Sequence, residues 1–288
     1  MSDGKKINVE AVVLDRYSSS AKCCENSLCC AVDYDPRFLE IVPAEIIERD
    51  YGCGDPSRFL QPGETVLDLG SGGGKICYIA AQIVGPAGRV IGVDMNDTML
   101  ALARKYQQEI ARRLGYDNVE FRKGRIQDLA LDMEKLAEAL AAEPIVSPAA
   151  ALETEIVAAR LRRTQPLIES NSIDVVVSNC VLNLVEPAAK TKLFDEIYRV
   201  LKNGGRAVIS DIVSNSDIPA DLQNDPKLWS GCISGAFREG DFLQAFRDAG
   251  FSSVRLVSRD EKPWQTIRDI EFRSVTVEAL KKRPSAGG

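Results

Sequence analysis

Eight cysteines and not one histidine define the chemistry open to this 288-residue chain. Imidazole is the commonest general base in this pH range and a frequent metal ligand, so its absence leaves thiolates and carboxylates to do any work. The thiols belong to Cys23, Cys24, Cys29, Cys30, Cys53, Cys77, Cys180 and Cys232. Soft sulfur selects a soft partner. In a reducing compartment these residues do not make a static disulfide framework, which brings metal, metalloid or redox chemistry forward.

A second constellation is more specific. The run Val66-Leu67-Asp68-Leu69-Gly70-Ser71-Gly72-Gly73-Gly74 carries a hydrophobic strand into a glycine-rich turn, and Asp94 ends the next apolar strand. In a dinucleotide site the glycines let a pyrophosphate reach backbone N–H groups at a helix N-terminus. Here Asp68 stands inside the turn, where a carboxylate repels a pyrophosphate and suits the ammonium of a methionine moiety. The cofactor implied is S-adenosylmethionine, with Asp68, Gly70, Ser71 and Gly72 forming its loop. Asp94 then stands where it can accept both ribose hydroxyls, and Met95 where it covers the adenine. A glycine pattern alone is weak. Joined to Asp68, an intervening helix and Asp94, it weighs heavily against an ordinary strand-turn-helix.

The elements that must hold these residues follow from periodicity. Strands at 65–69, 89–93 and 118–122 alternate with helices at 75–84 and 97–114, as βαβ units require. An Ala/Glu/Leu-rich stretch at 129–171, with a helix from Glu153 to Arg163, is a helical insertion between sheet elements. The sheet resumes at Ile173–Cys180, whose small polar residues fall at the carboxyl edge where ligands of open α/β sheets lie. A helix at 187–202 ends in Asn203-Gly204-Gly205, read as a C-cap. A strand at 206–211, a helix at 239–249 and a closing antiparallel pair at 251–258 and 270–278 complete the plan. The fold class is α/β, a Rossmann-like class I S-adenosylmethionine-dependent methyltransferase with a mostly parallel sheet. Three parts are expected: a mobile, cysteine-rich 1–42, a cofactor-binding domain at 43–212, and 213–288 with a cysteine-bearing loop, closing elements and a frayed tail from 281.

Composition narrows the partners. A net charge of −6 with scattered basic residues argues against nucleic acid. No run of about 18 apolar residues and no apolar leader occurs, so no membrane partner and a cytoplasmic setting are expected.

Three further motifs carry a resemblance. Tyr51-Gly52-Cys53-Gly54, Val177-Ser178-Asn179-Cys180-Val181-Leu182-Asn183-Leu184-Val185 and Leu228-Trp229-Ser230-Gly231-Cys232-Ile233-Ser234-Gly235-Ala236 resemble the arsenite S-adenosylmethionine methyltransferases. The similarity runs from about Leu28 to Val277. It implies trivalent arsenic, as arsenite or methylarsenite, held by thiolates while methyl passes from the cofactor sulfonium to the arsenic lone pair. Cys180 and Cys232 resemble the family's arsenic-binding pair, Cys53 its third cysteine, a relay in reductive cycling, and Cys30 the functional member of an N-terminal pair. A small dithiol or a thioredoxin-like protein is the implied reductant.

Elementary chemistry agrees. Trivalent arsenic is soft and pyramidal, so three sulfurs suit it and its lone pair needs no base to act as nucleophile. By residue pattern and resemblance together, Ile126 flanks the adenine, Asn179 approaches the methionine part, and Tyr51 meets the sulfonium by a cation–π contact or is a packed aromatic. Asp128 is a candidate helix cap. Cys77, in Ile76-Cys77-Tyr78-Ile79, reads as core. The family's tyrosine-tyrosine-glycine signature is replaced by Arg16-Tyr17-Ser18. Two other readings are a methyltransferase of an organic small molecule with structural cysteines, and a zinc or metalloid binder built on Cys23, Cys24, Cys29 and Cys30. The first lacks a candidate base beside Cys180 and Cys232; the second needs vicinal cysteines to act as a zinc knuckle, for which they are poorly spaced.

Overall fold

The computed structural model describes residues 7–21, 32–142 and 149–283. In chain order its helices are α1 (Val9–Ser20), α2 (Pro36–Leu39), α3 (Ala44–Glu48), α4 (Lys75–Val84), α5 (Asp97–Leu114), α6 (Met133–Ala142), α7 (Ala150–Thr164), α8 (Lys190–Val200), α9 (Ala220–Gln223), α10 (Pro226–Ser230) and α11 (Glu239–Asp248). The strands are β1 (Thr65–Leu69), β2 (Arg89–Asp94), β3 (Val119–Lys123), β4 (Ile173–Asn179), β5 (Leu201–Ser214), β6 (Phe237–Arg238), β7 (Ser253–Arg259), β8 (Gln265–Ile267) and β9 (Ile270–Leu280). They form one sheet in the order β3-β2-β1-β4-β5-β9-β7, with β6 on β5 and β8 on β9. The pairs from β3 to β5 are parallel, whereas β9 runs antiparallel to β5 and β7.

A parallel sheet is covered on both faces, so its central strands are continuously apolar. Val66, Leu67 and Leu69 of β1 and Val175, Val176 and Val177 of β4 are buried accordingly. One face packs α8 and α11 through Phe194, Phe242 and Phe246, with the Phe194 and Phe246 rings edge to face at 4.8 Å. The other packs the apolar side of α4 with Val42, Ile46 and Leu100. A third, smaller cluster gathers Cys53, Cys180 and Cys232 with Leu184, Ile212 and Phe272. Asn96 caps α5 by accepting from the N–H groups of Thr98 and Met99, and Gly115 ends it at φ +82°.

Several expectations need correction. Within 1–42, read as mobile, the described residues include the helix α1, which the Arg16 guanidinium ties to the Lys227 carbonyl at 2.8 Å and to Ser230 Oγ at 2.9 Å. Asn203-Gly204-Gly205 is not a cap: α8 stops at Val200, and these residues lie in β5, where the β4–β5 register shifts between Ile173 and Val175. Lys281 is not frayed, because its buried ammonium donates to the carbonyls of Tyr198 and Leu201, each at 2.7 Å. Asp128 caps no helix; Asp132 caps α6, and Asp128 pairs with Arg162 and Lys192. The insertion at 129–171 contains α6 and α7, one helix more than was read in it.

Candidate active site

The glycine turn after β1 is shaped by backbone rather than by side chains. Gly70 and Gly72 adopt φ of +70° and +51°, conformations that an L side chain reaches only with strain. A Cβ on Gly70 would strike Val181, whereas one on Gly72 would project into open space. The Gly70 N–H donates to the Val93 carbonyl at 2.8 Å, locking the turn to the end of β2. Asp94 in turn accepts from the Gly72 N–H at 2.9 Å and the Asn96 N–H at 2.8 Å.

A cleft opens at this edge of the sheet. It is lined by all nine residues that the sequence assigns to the cofactor: Tyr51, Asp68, Gly70, Ser71, Gly72, Asp94, Met95, Ile126 and Asn179. Its electrostatics are those of a site awaiting a cation. Burial raises the carboxyl of Asp68 to about 7, against a single opposing hydrogen bond from the Cys77 thiol at 3.3 Å. Asp94 is also raised by burial, although the N–H groups of Asn96 and Gly72 oppose the shift. Ser71 Oγ is buried with no hydrogen-bond partner among the described residues. A buried carboxylate and an unsatisfied hydroxyl in one cleft are unspent capacity for a polar, positively charged ligand.

Cys180 lines the same cleft and also belongs to a buried cluster with Cys53 and Cys232. One atom each of Cys53 (Sγ), Cys180 (Sγ) and Asp211 (carboxylate oxygen) lie within 4.8 Å of one another, all buried. The Cys232 thiol donates to the Cys180 carbonyl at 3.0 Å. Electrostatically it is coupled to the Cys180 thiol, which in turn is coupled to that of Cys53. Both Cys180 and Cys232 sit at φ +63°. Left-handed backbone at a residue other than glycine costs on the order of 1–3 kcal/mol and persists only where neighbours enforce it. Here they do: the Asn183 amide donates to Asp211 at 2.8 Å, to the Ile212 carbonyl at 2.6 Å and to the Cys232 carbonyl at 3.4 Å.

Cys180 and Cys232 are held as neutral thiols. For Cys180, the Cys232 hydrogen bond pulls the pKa down, but the Cys53 contact and burial outweigh it; Cys232 is raised by its bond to Cys180 and by burial. Burial lifts Asp211 to about 6 and lowers Lys190 to about 8, and each of these charges opposes the other's shift.

Two devices join the cleft to the cluster. Asn179 Oδ1 accepts from the N–H groups of Cys53 at 2.9 Å and Gly54 at 3.1 Å, while Nδ2 donates to the Tyr34 hydroxyl at 2.9 Å and the Gly54 carbonyl at 2.8 Å. Gly52 and Gly54 are needed for close approach: a Cβ on the first would overlap the Asn179 amide, and on the second the Ser210 side chain. Helix α1 is the other device. Its Tyr17 ring lies edge to face with Tyr51 at 6.0 Å and lines the cofactor cleft, while its hydroxyl is electrostatically coupled to Cys232.

Comparison with known proteins places this arrangement. A methyltransferase domain family matches residues 60–250. The arsenite methyltransferase of Halobacterium salinarum is 38% identical over 239 residues, covering 80% of this chain and 50% of that protein. That of Aquipseudomonas alcaligenes is 34% identical over 267 residues, covering 89% and 67%. The crystal structure of an arsenic(III) S-adenosylmethionine methyltransferase from Chlamydomonas reinhardtii superposes with a TM-score of 0.67 at 31% identity, covering 87% of this chain and 74% of that one. The chain belongs to the arsenite methyltransferase family. It spans half the length of the first relative and 67% of the second.

In this family member, Cys53, Cys180 and Cys232 come together, and Cys180 adjoins the nine cleft residues. Cys30, with Cys23, Cys24 and Cys29, lies outside the described residues. Cys77 is core, as read, but its thiol also touches the cofactor-side carboxylate. Tyr51 packs on Tyr17 and donates to the Ser20 carbonyl at 3.1 Å. Sequence reasoning missed Asp211, Asn183, Lys190 and Tyr17 as site residues. Asp211 had a signal, an acidic residue interrupting the apolar run of β5 near its carboxyl end. The others had none that spacing could reveal.

Proposed function

We propose that this protein transfers methyl groups from S-adenosylmethionine to trivalent arsenic bound by Cys53, Cys180 and Cys232. The observation that carries the reading is the meeting of the buried Cys53 and Cys180 thiols, with Cys232 packed in the same cluster, where Cys180 also lines a cleft with a cation-seeking carboxylate.

The cleft fits the cofactor on its own chemistry. Asp68 suits an ammonium, Ser71 Oγ has an open bond to make, Asp94 keeps lone pairs beyond its two N–H donors, and Met95 and Ile126 supply apolar faces. When bound, S-adenosylmethionine supplies an electrophilic methyl group on a sulfonium. The aromatic pair Tyr17 and Tyr51 favours such a cation and keeps water out.

Neutral thiols are the right state for a neutral arsenic trihydroxide. Each As–OH exchanges with Cys–SH to give an As–S bond and water, so no charge enters the low-dielectric pocket. Three sulfurs leave the lone pair exposed, and the protein's task becomes orientation toward the cleft that Cys180 borders. Forming the As–C bond consumes that lone pair and oxidises arsenic by two electrons, so a dithiol or a thioredoxin-like protein is needed to restore the trivalent state.

The test is a double dissociation in binding. Cys180→Ser or Cys232→Ser is expected to lose arsenite affinity and keep cofactor affinity, while Asp94→Ala does the reverse. Wild-type arsenite affinity in both cysteine variants would overturn the assigned pocket.

A further inference from the structure

Trivalent arsenic held by three sulfurs leaves one member of the pocket without a task. That member is Asp211, at the end of β5, completely buried, with a carboxylate oxygen within 4.8 Å of both Cys53 Sγ and Cys180 Sγ. Its known partners hold it in place without exhausting it. The Ile212 N–H and the Asn183 amide each donate to Oδ1 at 2.8 Å, and Oδ2 receives the longer Asn183 N–H at 3.3 Å. The cluster offers two sulfurs and one oxygen, and the Cys232 thiol, donating to the Cys180 carbonyl at 3.0 Å, stands next to it.

The geometry points to a second occupant of this cluster: a borderline-to-soft divalent cation of the Zn2+, Cd2+ or Co2+ kind, bound by Cys53, Cys180 and Asp211, with the neighbouring Cys232 as its fourth ligand after a side-chain movement. Four-coordinate S/O sets are what such ions take, whereas Mg2+ and Ca2+ demand more oxygens than the one carboxylate supplies. Zn–S bonds of about 2.3 Å put tetrahedral ligand atoms roughly 3.7 Å apart, so a small inward movement of side chains closes the site. Each thiol gives its proton to solvent as its sulfur bonds to the metal. The resulting anionic cluster has its counter-charge at hand in the half-buried Lys190, attracted to both Asp211 and Cys232. Arsenic and the divalent ion then use the same sulfurs and exclude each other, but only the ion uses Asp211. The mutual exclusion rests on the proposed arsenic pocket; the cation site does not.

Cobalt(II) alone is the probe, added to the reduced full chain carrying Cys23→Ser, Cys24→Ser, Cys29→Ser and Cys30→Ser so that only the pocket reports. The expected result is one Co2+ per chain with thiolate-to-cobalt charge-transfer absorption and intense tetrahedral visible bands, both abolished by arsenite. Asp211→Asn should weaken Co2+ binding by about tenfold or more, well beyond its effect on arsenite affinity, while cofactor affinity holds. Weak octahedral absorption without charge transfer, or equal losses of Co2+ and arsenite affinity in Asp211→Asn, would overturn the cation site. If that variant does not fold, displacement in the parent decides: bands that survive bound arsenite contradict a shared pocket. Cobalt bands in a protein that binds no arsenite would leave the cation site standing and sink the arsenic reading.

Discussion

The cofactor cleft draws its chemistry from 68–72 and 94–96, two short runs at adjacent strand ends, whereas the thiol pocket collects Cys53, Cys180, Asp211 and Cys232 from distant segments. The cleft is acidic and shaped by glycine backbone. The thiol cluster is apolar, and its two strained cysteines flank hydrogen bonds from Asn183 to Asp211 of β5 and to the Cys232 carbonyl. A cationic cofactor and an uncharged metalloid need opposite surroundings. On the proposed reading the two sit on either side of Cys180, with Asn179 and Tyr17 reaching across.

That division can be broken where the two regions share a residue. Asn179→Ala leaves the N–H groups of Cys53 and Gly54 and the Tyr34 hydroxyl without their acceptor or donor. Unsatisfied buried groups cost about 2 kcal/mol, so arsenite and cofactor affinities should each fall roughly thirtyfold. Paired titrations check this, and loss of only one affinity would assign Asn179 to one region alone.

A pH titration sharpens the contrast next. The Asp68 carboxyl rises from an ordinary 3.8 to about 7 in the folded, ligand-free protein. A raised pKa contributes stability that is full below the ordinary value and lost as pH climbs through about 7. A cationic ligand prefers the ionised form, so cofactor affinity should weaken by about tenfold per pH unit below 7 and level off above it. Asp68→Asn should remove most of this slope, seen equally as a flatter pH dependence of melting temperature. Arsenite affinity should not share the slope, since thiol-for-hydroxide exchange moves no net charge.

Tyr17→Phe is the mildest change. It removes the hydroxyl coupled to Cys232 and keeps the ring against Tyr51. Arsenite affinity should drop roughly fivefold, about 1 kcal/mol, with cofactor affinity unchanged.

The same contrast explains what the sequence made legible. Glycines with positive φ, a carboxylate in the turn and alternating strand and helix periods are local signals, and β1, α4 and α5 run over the residues that periodicity predicts. The thiol pocket was legible through residue type and family resemblance, because only long-range packing brings Cys53 to Cys180. Asp211 and Asn183 went unread since their partners are supplied by tertiary structure, and Asn203-Gly204-Gly205 was misread because glycines serve a strand irregularity as readily as a helix cap. The flanks of Cys53 are instructive too. They suggest flexibility in sequence, yet in the fold Gly52 and Gly54 let backbone pack against Asn179 and Ser210.

The central claim is that methyl passes to arsenic held at the border of the two regions. Its most direct test is a single turnover with arsenite, excess dithiol and methyl-labelled S-adenosylmethionine, comparing wild type with Cys180→Ser after arsenic species are separated. The account predicts labelled methylarsenicals from the wild type and none from Cys180→Ser, with equal cofactor binding in both. Cofactor binding without methylated arsenic from the wild type, or wild-type product from Cys180→Ser, would contradict it.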